Sequence, residues 1–336
     1  MWSSSSTVNL DPEWGTYINS LDDEAQAIEE GKPFAALLDG VGLIKAEGED
    51  AETFLQGQTT CDFTSVKKNL PKLGAHLNVK GRAQSTFIAF KLNDCFYLLM
   101  GADQVEPTLA ALNKYAVFSK VALTQCSDLL VVGLGGQNIQ DTIQALFGSS
   151  PESGCLNAIS AGAVMQIPHL GYLAVITAEN MQSIVDSIKQ QPITLCGDNA
   201  WNLHRINSGF PQISAATSEQ WIPQEINYEL IEGVSFDKGC YKGQEIVARI
   251  HYRGKPKVRT AIASIESSTP LTEVKPGDKI TGQEQSGSLL EVARVSERTL
   301  KALTTLKVSV SESENLKLEQ NDDSQIRVLP LPYAIT

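Results

Sequence analysis

From Val258 to the C-terminus the sequence shows no helical period, only short apolar runs broken by turn signals. Pro276-Gly277-Asp278 is a turn signal. Leu306, Val308 and Val310 alternate with Lys307, Ser309 and Ser311, the pattern of a half-buried strand. Residues 258-336 are therefore expected to form a small C-terminal β-barrel. At 336 residues the chain is too long for one ordinary core, and two or three domains are expected.

The stretch before Val258 is mixed. Phe34 to Leu43 reads as one strand and Asp50 to Gln56 as a short helix ending near Gly57. Ser85 to Leu92 and Cys95 to Met100 read as a hairpin turning at Asn93-Asp94, with another turn at Lys80-Gly81. Asp103, with Glu106 three residues on, is a candidate helix cap, and Val105, Leu109 and Leu112 then share one face. Leu129 to Leu134 is a strand running into Gly133-Leu134-Gly135-Gly136 and a helix up to Phe147. Asn138 stands where a dinucleotide loop needs its last glycine, so the glycines are read as a tight strand-to-helix turn. Residues 1-30 are polar and acidic apart from Trp2 and Trp14 and read as a lead-in. The fold class expected is α+β.

Hydrophobic residues make up 42% and charged residues 20%, the balance of a folded, soluble protein. No apolar run approaches the ~18 residues of a membrane helix, and Met1 to Asn9 has neither the basic start nor the apolar core of a secretory signal. A cytoplasmic location with no membrane partner is expected. The cysteines, at 61, 95, 126, 155, 196 and 240, form no C-x-x-C pair and should stay reduced there; nothing favours a metal site. The net charge of -12 argues against general nucleic-acid binding. Against that background Lys238, Lys242, Arg249, Arg253, Lys255, Lys257 and Arg259 make a basic strip with Glu245 as its one acid. Such a strip can hold an anionic ligand or be a solvated face.

Two segments can carry chemistry. In Lys238 to Glu245, Gly239 and Gly243 flank Cys240 and Tyr241 and let backbone amides approach a ligand. The following Glu245 to His251 fits a helix with Ile246, Val247 and Ile250 on one face, or a strand with Ile246, Ala248 and Ile250. If helical, it places Cys240 just before a helix N-terminus, where a thiolate is favoured; otherwise Cys240 is a buried, inert thiol. No triad accompanies it. In Asp198 to Ile206, Asp198 is a candidate helix cap and Gly209 a stop. Trp201 between them offers an indole face to a planar heterocycle, or fills the core. Gln224 and Asn227, after Trp221-Ile222-Pro223, can read ring nitrogens or satisfy a loop.

Lys238-Gly239-Cys240-Tyr241-x-Gly243-Gln244-Glu245 resembles the signature of the YgfZ family, relatives of the aminomethyltransferase (T-protein) of the glycine cleavage system. Gln56-Gly57-Gln58 with Thr60 and Asp62, Tyr115 to Lys120, Gly209-Phe210-Pro211, Ile222-Pro223-Gln224, Val247-Ala248-Arg249, Arg253-Gly254 and Pro330-Leu331-Pro332-Tyr333 follow in the family's order. The resemblance implies a three-domain ring ending in a β-barrel. Two α+β folate-binding domains would occupy 31-257, with a boundary near 125 and the first completed by about 200-257. It implies tetrahydrofolate or a related folate as cofactor, a monomer, modification of some tRNAs through support of iron–sulfur enzymes, and a link to replication initiation. Cys240 is the implied functional thiol. Trp201 matches a family folate tryptophan, and a second such position falls at Val41. Asn207 and Asn78 stand where the family often has acids, which favours an accessory protein over the alternative, a one-carbon transferase. Direct tRNA binding is a further alternative.

Overall fold

The computed structural model describes residues 9-11, 15-282, 286-308 and 315-335. Two open sheets and a closed barrel carry the architecture, so the α+β class with a C-terminal barrel is present. A five-stranded antiparallel sheet runs in the spatial order Lys72–Leu77, Ala83–Leu92, Cys95–Gly101, Val41–Glu47, Ala122–Cys126. Its hairpin turns at Asn93 and Asp94, both at positive φ (48° and 60°), the backbone a two-residue loop needs to match strand twist. Helix Ala102–Ala116 lies on this sheet through Val105 and Leu112. Asp103 does not cap it: Gly101 holds that position, and the Asp103 carboxylate instead accepts from the Ala215 amide at 2.6 Å. Helix Ala51–Gln58 ends one residue past Gly57, as expected.

The second sheet has six strands in the order Leu156–Ile159, Gly162–Ile167, Gly171–Thr177, Leu129–Gly135, Phe34–Leu38, Thr194–Cys196. The apolar run Phe34 to Leu43 is therefore two strands. The chain leaves the six-stranded sheet at Leu38, passes Asp39-Gly40, and enters the five-stranded sheet at Val41. Asp39 and Gly40 are exposed and form a turn dipeptide, which marks the crossing within the run. Gly133 is likewise not a turn residue. It lies inside Leu129–Gly135, and a Cβ there would stand 2.4 Å from Trp201 Cε3, so its bare backbone seats the indole. The turn falls later, at Gly136 (φ 94°), before helix Ile139–Phe147.

Val258–Glu266, Lys279–Thr281, Ser286–Ser296, Thr299–Lys307, Leu316–Leu318 and Asn321–Leu329 close the barrel. The alternation read through Leu306 stops there: Lys307 is the last strand residue, and Val308 sits in a turn with 59% of its surface exposed. Ser309, Val310 and Ser311 lie outside the described residues, as do Trp2 and Trp14.

The polar lead-in includes an ordered helix, Leu21–Glu29. Ser20 caps it by accepting from the Asp23 amide, and Leu21, Ala25 and Ile28 are buried. Glu24 is buried too, its carboxylate accepting from the amides of Ile18, Asn19 and Gly197. This helix and helix Asp198–Asn207 both pack on barrel strand Ser286–Ser296, joining the six-stranded sheet to the barrel.

Candidate functional site

Three neighbouring cavities share walls where the two sheets meet the barrel. An open chamber of about 800 Å³ is lined by Asn199, Asn202, Lys275 and Asp278 among others. Gly40, Asp198, Asn202 and Pro276 are common to it and to a narrower cavity of about 140 Å³. Val41, Trp201, Arg205 and Gln212 pass from that cavity to a third, of about 30 Å³, whose further walls are Leu38, Ile88, Met100 and Phe210. The series thus narrows from a polar mouth to an apolar end that holds little more than a water.

Trp201 and Val41, distant in sequence, line the same two inner cavities. Trp201 is 3% exposed, with its ring against Gly133 and near Phe34 and His204. It is a core tryptophan that also walls a cavity, and the face packed on Gly133 is closed to a ligand. Val41 is half-buried.

Asp198 is a functional candidate whose place in the sequence suggests only a cap. Gly197 occupies the cap position. The Asp198 carboxylate reaches across the fold to accept from the Thr16 amide (3.0 Å) and the Gly40 amide (2.9 Å). Burial pushes it up to about 6, against the opposing pull of those amides. A carboxyl on a cavity wall that titrates near neutral pH can accept from ring N–H groups or exchange a proton.

On the other wall Arg205 is clamped by the Glu291 carboxylate and the Gln212 side-chain oxygen, while the Gln212 amide donates to Glu291. Arg205 Nε is buried without a protein acceptor. The inner cavities thus combine apolar walls with the Asp198 carboxylate acceptor. That lining fits the edge of a planar heterocycle bearing N–H groups, as a pterin does.

Cys240 lines none of these cavities. Gln244–Arg253 is a helix, which settles the helix-or-strand alternative, but Tyr241, Lys242 and Gly243 separate Cys240 from it. The helix dipole acts within its first turn and does not reach so far. Cys240 is exposed, unlike Cys61 and Cys196, so the buried-thiol alternative falls. The loop is held from beneath. Lys238 Nζ donates to the carbonyls of Gln56, Thr59 and Cys61 at 2.6-2.7 Å, capping helix Ala51–Gln58. Burial lowers the Lys238 ammonium to about 8, with Cys61 and Asp62 opposing, so at neutral pH it keeps its proton and all three donors. The Lys242 amide donates to Gly57 O, and its ammonium sits 5.1 Å from the Tyr115 ring centre. Gly243, at φ 81°, fits where a Cβ would stand 2.6 Å from Asn78 O. The early glutamine motif, the middle aromatic motif and the signature therefore meet at the loop that carries Cys240.

Asn78 Oδ1 accepts from the amides of Lys80 and Arg82, closing a turn. Asn207 donates to Glu29 and accepts from Lys301. Neither lines any of these three cavities. Gln224 donates to Val247 O and Asn227 to Thr260 O, so these amides fasten the signature helix and the barrel. Of the basic strip, Lys238 points inward, Arg259 is buried against Glu229, and Arg249, Arg253, Lys255 and Lys257 are exposed. None of them lines the cavities. Among the described residues no three His, Cys, Asp or Glu side chains converge as metal ligands, and no helix is long and apolar enough to cross a membrane.

No protein-family model matches the chain. It is 32% identical over 320 residues to the tRNA-modifying protein YgfZ of Photobacterium profundum, covering 93% of this chain and 95% of that one. To the protein of the same name from Vibrio atlanticus it is 32% identical over 295 residues, 86% and 88% of the two chains. Among solved structures, the glycine cleavage system aminomethyltransferase T of Bartonella henselae superposes with a TM-score of 0.79 over 99% of this chain and 96% of its own, at 14% identity, a likeness of fold.

Proposed function

The chain belongs to the family of the tRNA-modifying protein YgfZ, and on that premise we propose that it is a folate-binding accessory protein that supports iron–sulfur enzymes modifying tRNA. The observation that carries the folate part is the convergence of Trp201, Val41, Asp198 and Arg205 on the inner cavities. Tetrahydrofolate would place its pterin between Val41 and the Trp201 edge, with ring N–H groups toward Asp198. Its glutamate would lie in the open chamber near Lys275. When bound, folate would supply one-carbon chemistry; the chain's own residues would orient the ring, with ionised Asp198 accepting from its N–H groups.

Asp198 sets a pH dependence with a definite sign. Its folded value lies above that of a free carboxyl, so its contribution to stability is complete below about 4 and is lost as pH rises through about 6. Ligand N–H groups need the ionised form. Tetrahydrofolate affinity should therefore rise as pH passes through about 6 and then level off. Asp198→Asn should flatten that profile; a wild-type profile without the step removes Asp198 from the site.

Cys240 is proposed as the second functional element, outside the folate channel. Cys240→Ala should leave the melting temperature and tetrahydrofolate affinity unchanged, because the side chain is exposed and away from the cavities. In a strain lacking the protein the variant should fail to restore tRNA modification. Full rescue would show the thiol to be dispensable.

The observation favouring a one-carbon transferase instead is Asp198 itself, a carboxyl poised near neutrality beside the proposed ring site. Turnover of an aminomethyl donor by the purified chain with tetrahydrofolate would establish that reading; binding without turnover supports the accessory role.

A further inference from the structure

The end of the signature helix is built unlike the rest of an acidic protein. Between Ile246 and Arg259 no carboxylate occurs, although the whole chain carries a net charge of -12. Arg249, Arg253, Lys255 and Lys257 are exposed, and none of the four takes part in an ion pair among the described residues. Leaving cations of one sign together costs self-repulsion that an anionic partner relieves. Three rings cluster at the same helix, with half-buried Phe236 supplied by the loop before Lys238. Phe236 and His251 lie 3.6 Å apart at 14°, and Tyr252 meets His251 edge-on at 4.7 Å. Tyr252 is 68% exposed and His251 is exposed too.

Unpaired cations beside a supported, exposed aromatic are the two parts of a single-strand nucleic-acid platform: charge for phosphates, a π-face for an unstacked base. An acidic protein surface would use the cations but leaves Tyr252 unexplained. A duplex keeps its bases stacked and offers the ring nothing. We propose that the Phe236–His251–Tyr252 stack with Arg249, Arg253, Lys255 and Lys257 is a contact face for a short unpaired RNA segment. The choice of RNA rests on the tRNA-modification reading above. Helix Gln244–Arg253 is about 15 Å long at 1.5 Å per residue, suited to the short end of such sites, about 4 nucleotides. The same helix continues from the Cys240 loop, so RNA held here would lie on the element that follows the exposed thiol.

The test titrates the full chain into a labelled short oligouridylate and an unmodified tRNA transcript, following anisotropy across salt concentrations. Saturable binding that weakens with salt is expected. Tyr252→Ala should weaken it about tenfold with the salt slope unchanged. The combined variant Arg249→Gln, Arg253→Gln, Lys255→Gln, Lys257→Gln should reduce the slope by about 0.7 for each phosphate no longer neutralised. Both variants should bind tetrahydrofolate like wild type, which separates this face from the folate reading. No saturable binding at low salt, or binding that both variants retain, overturns the proposal. Weakening by the charge variant alone, with Tyr252→Ala silent, overturns the single-stranded RNA assignment and leaves a general polyanion surface.

Discussion

Glu291→Leu is expected to lower stability by about 3–5 kcal/mol, because it leaves a buried charge without its partner. Arg205 is 5% exposed and Glu291 7%, and the pair ties helix Asp198–Asn207 to barrel strand Ser286–Ser296. The variant strands the guanidinium and removes the acceptor of the Gln212 amide. Replacing both partners, Arg205→Met with Glu291→Leu, removes two desolvation costs at once and should recover most of the loss. Denaturant unfolding of the single variants and the pair measures the coupling. Equal losses in the single and double variants would show that side-chain volume, not charge pairing, matters at this junction. The double variant should nonetheless lose folate affinity, since Arg205 lines both inner cavities.

Trp201→Ala should cost a similar amount, about 3–5 kcal/mol, for a different reason: it empties a packed indole site. The ring fills the space over Gly133 and contacts the Phe34 and His204 rings. A thermal melt should fall by several degrees, and tetrahydrofolate binding should be lost with the cavity wall. Trp201→Phe separates the two effects, since it keeps apolar volume while reshaping the edge facing the cavity. A melting temperature unchanged in Trp201→Ala would mean that the indole is not part of the core.

Much of the fold is readable in the sequence because local signals and global arrangement agree. The absence of helical period after Val258 anticipates the barrel, and Asn93-Asp94 marks a hairpin by its tolerance of positive φ. The break at Asp39-Gly40 is marked by a turn dipeptide, so reading Phe34 to Leu43 as one strand passes over a legible signal; that the two strands enter different sheets is set by tertiary pairing. Gly133 misleads for a related reason: a glycine making room for a distant indole looks, in sequence, like a glycine making a turn.

The site divides similarly. Trp201 and Cys240 are visible as residue types in suggestive settings, yet their separation into a channel wall and an exposed loop depends on tertiary placement. Asp198 is hidden because an acid at a helix start is the ordinary cap signal, and its true partners, Thr16 and Gly40, lie far off in sequence. The basic strip reads as one feature, but Lys238 and Arg259 turn inward to distant carbonyls and to Glu229. The exposed cations lie between them, at Arg249, Arg253, Lys255 and Lys257.

Calorimetric titration of the purified chain with tetrahydrofolate tests the central claim most directly, that the Trp201–Asp198 channel binds folate apart from the Cys240 loop. Saturable one-site binding that Trp201→Phe weakens and Cys240→Ala leaves intact is the expected result. Absence of saturable binding, or binding abolished by Cys240→Ala and untouched by Trp201→Phe, would contradict it.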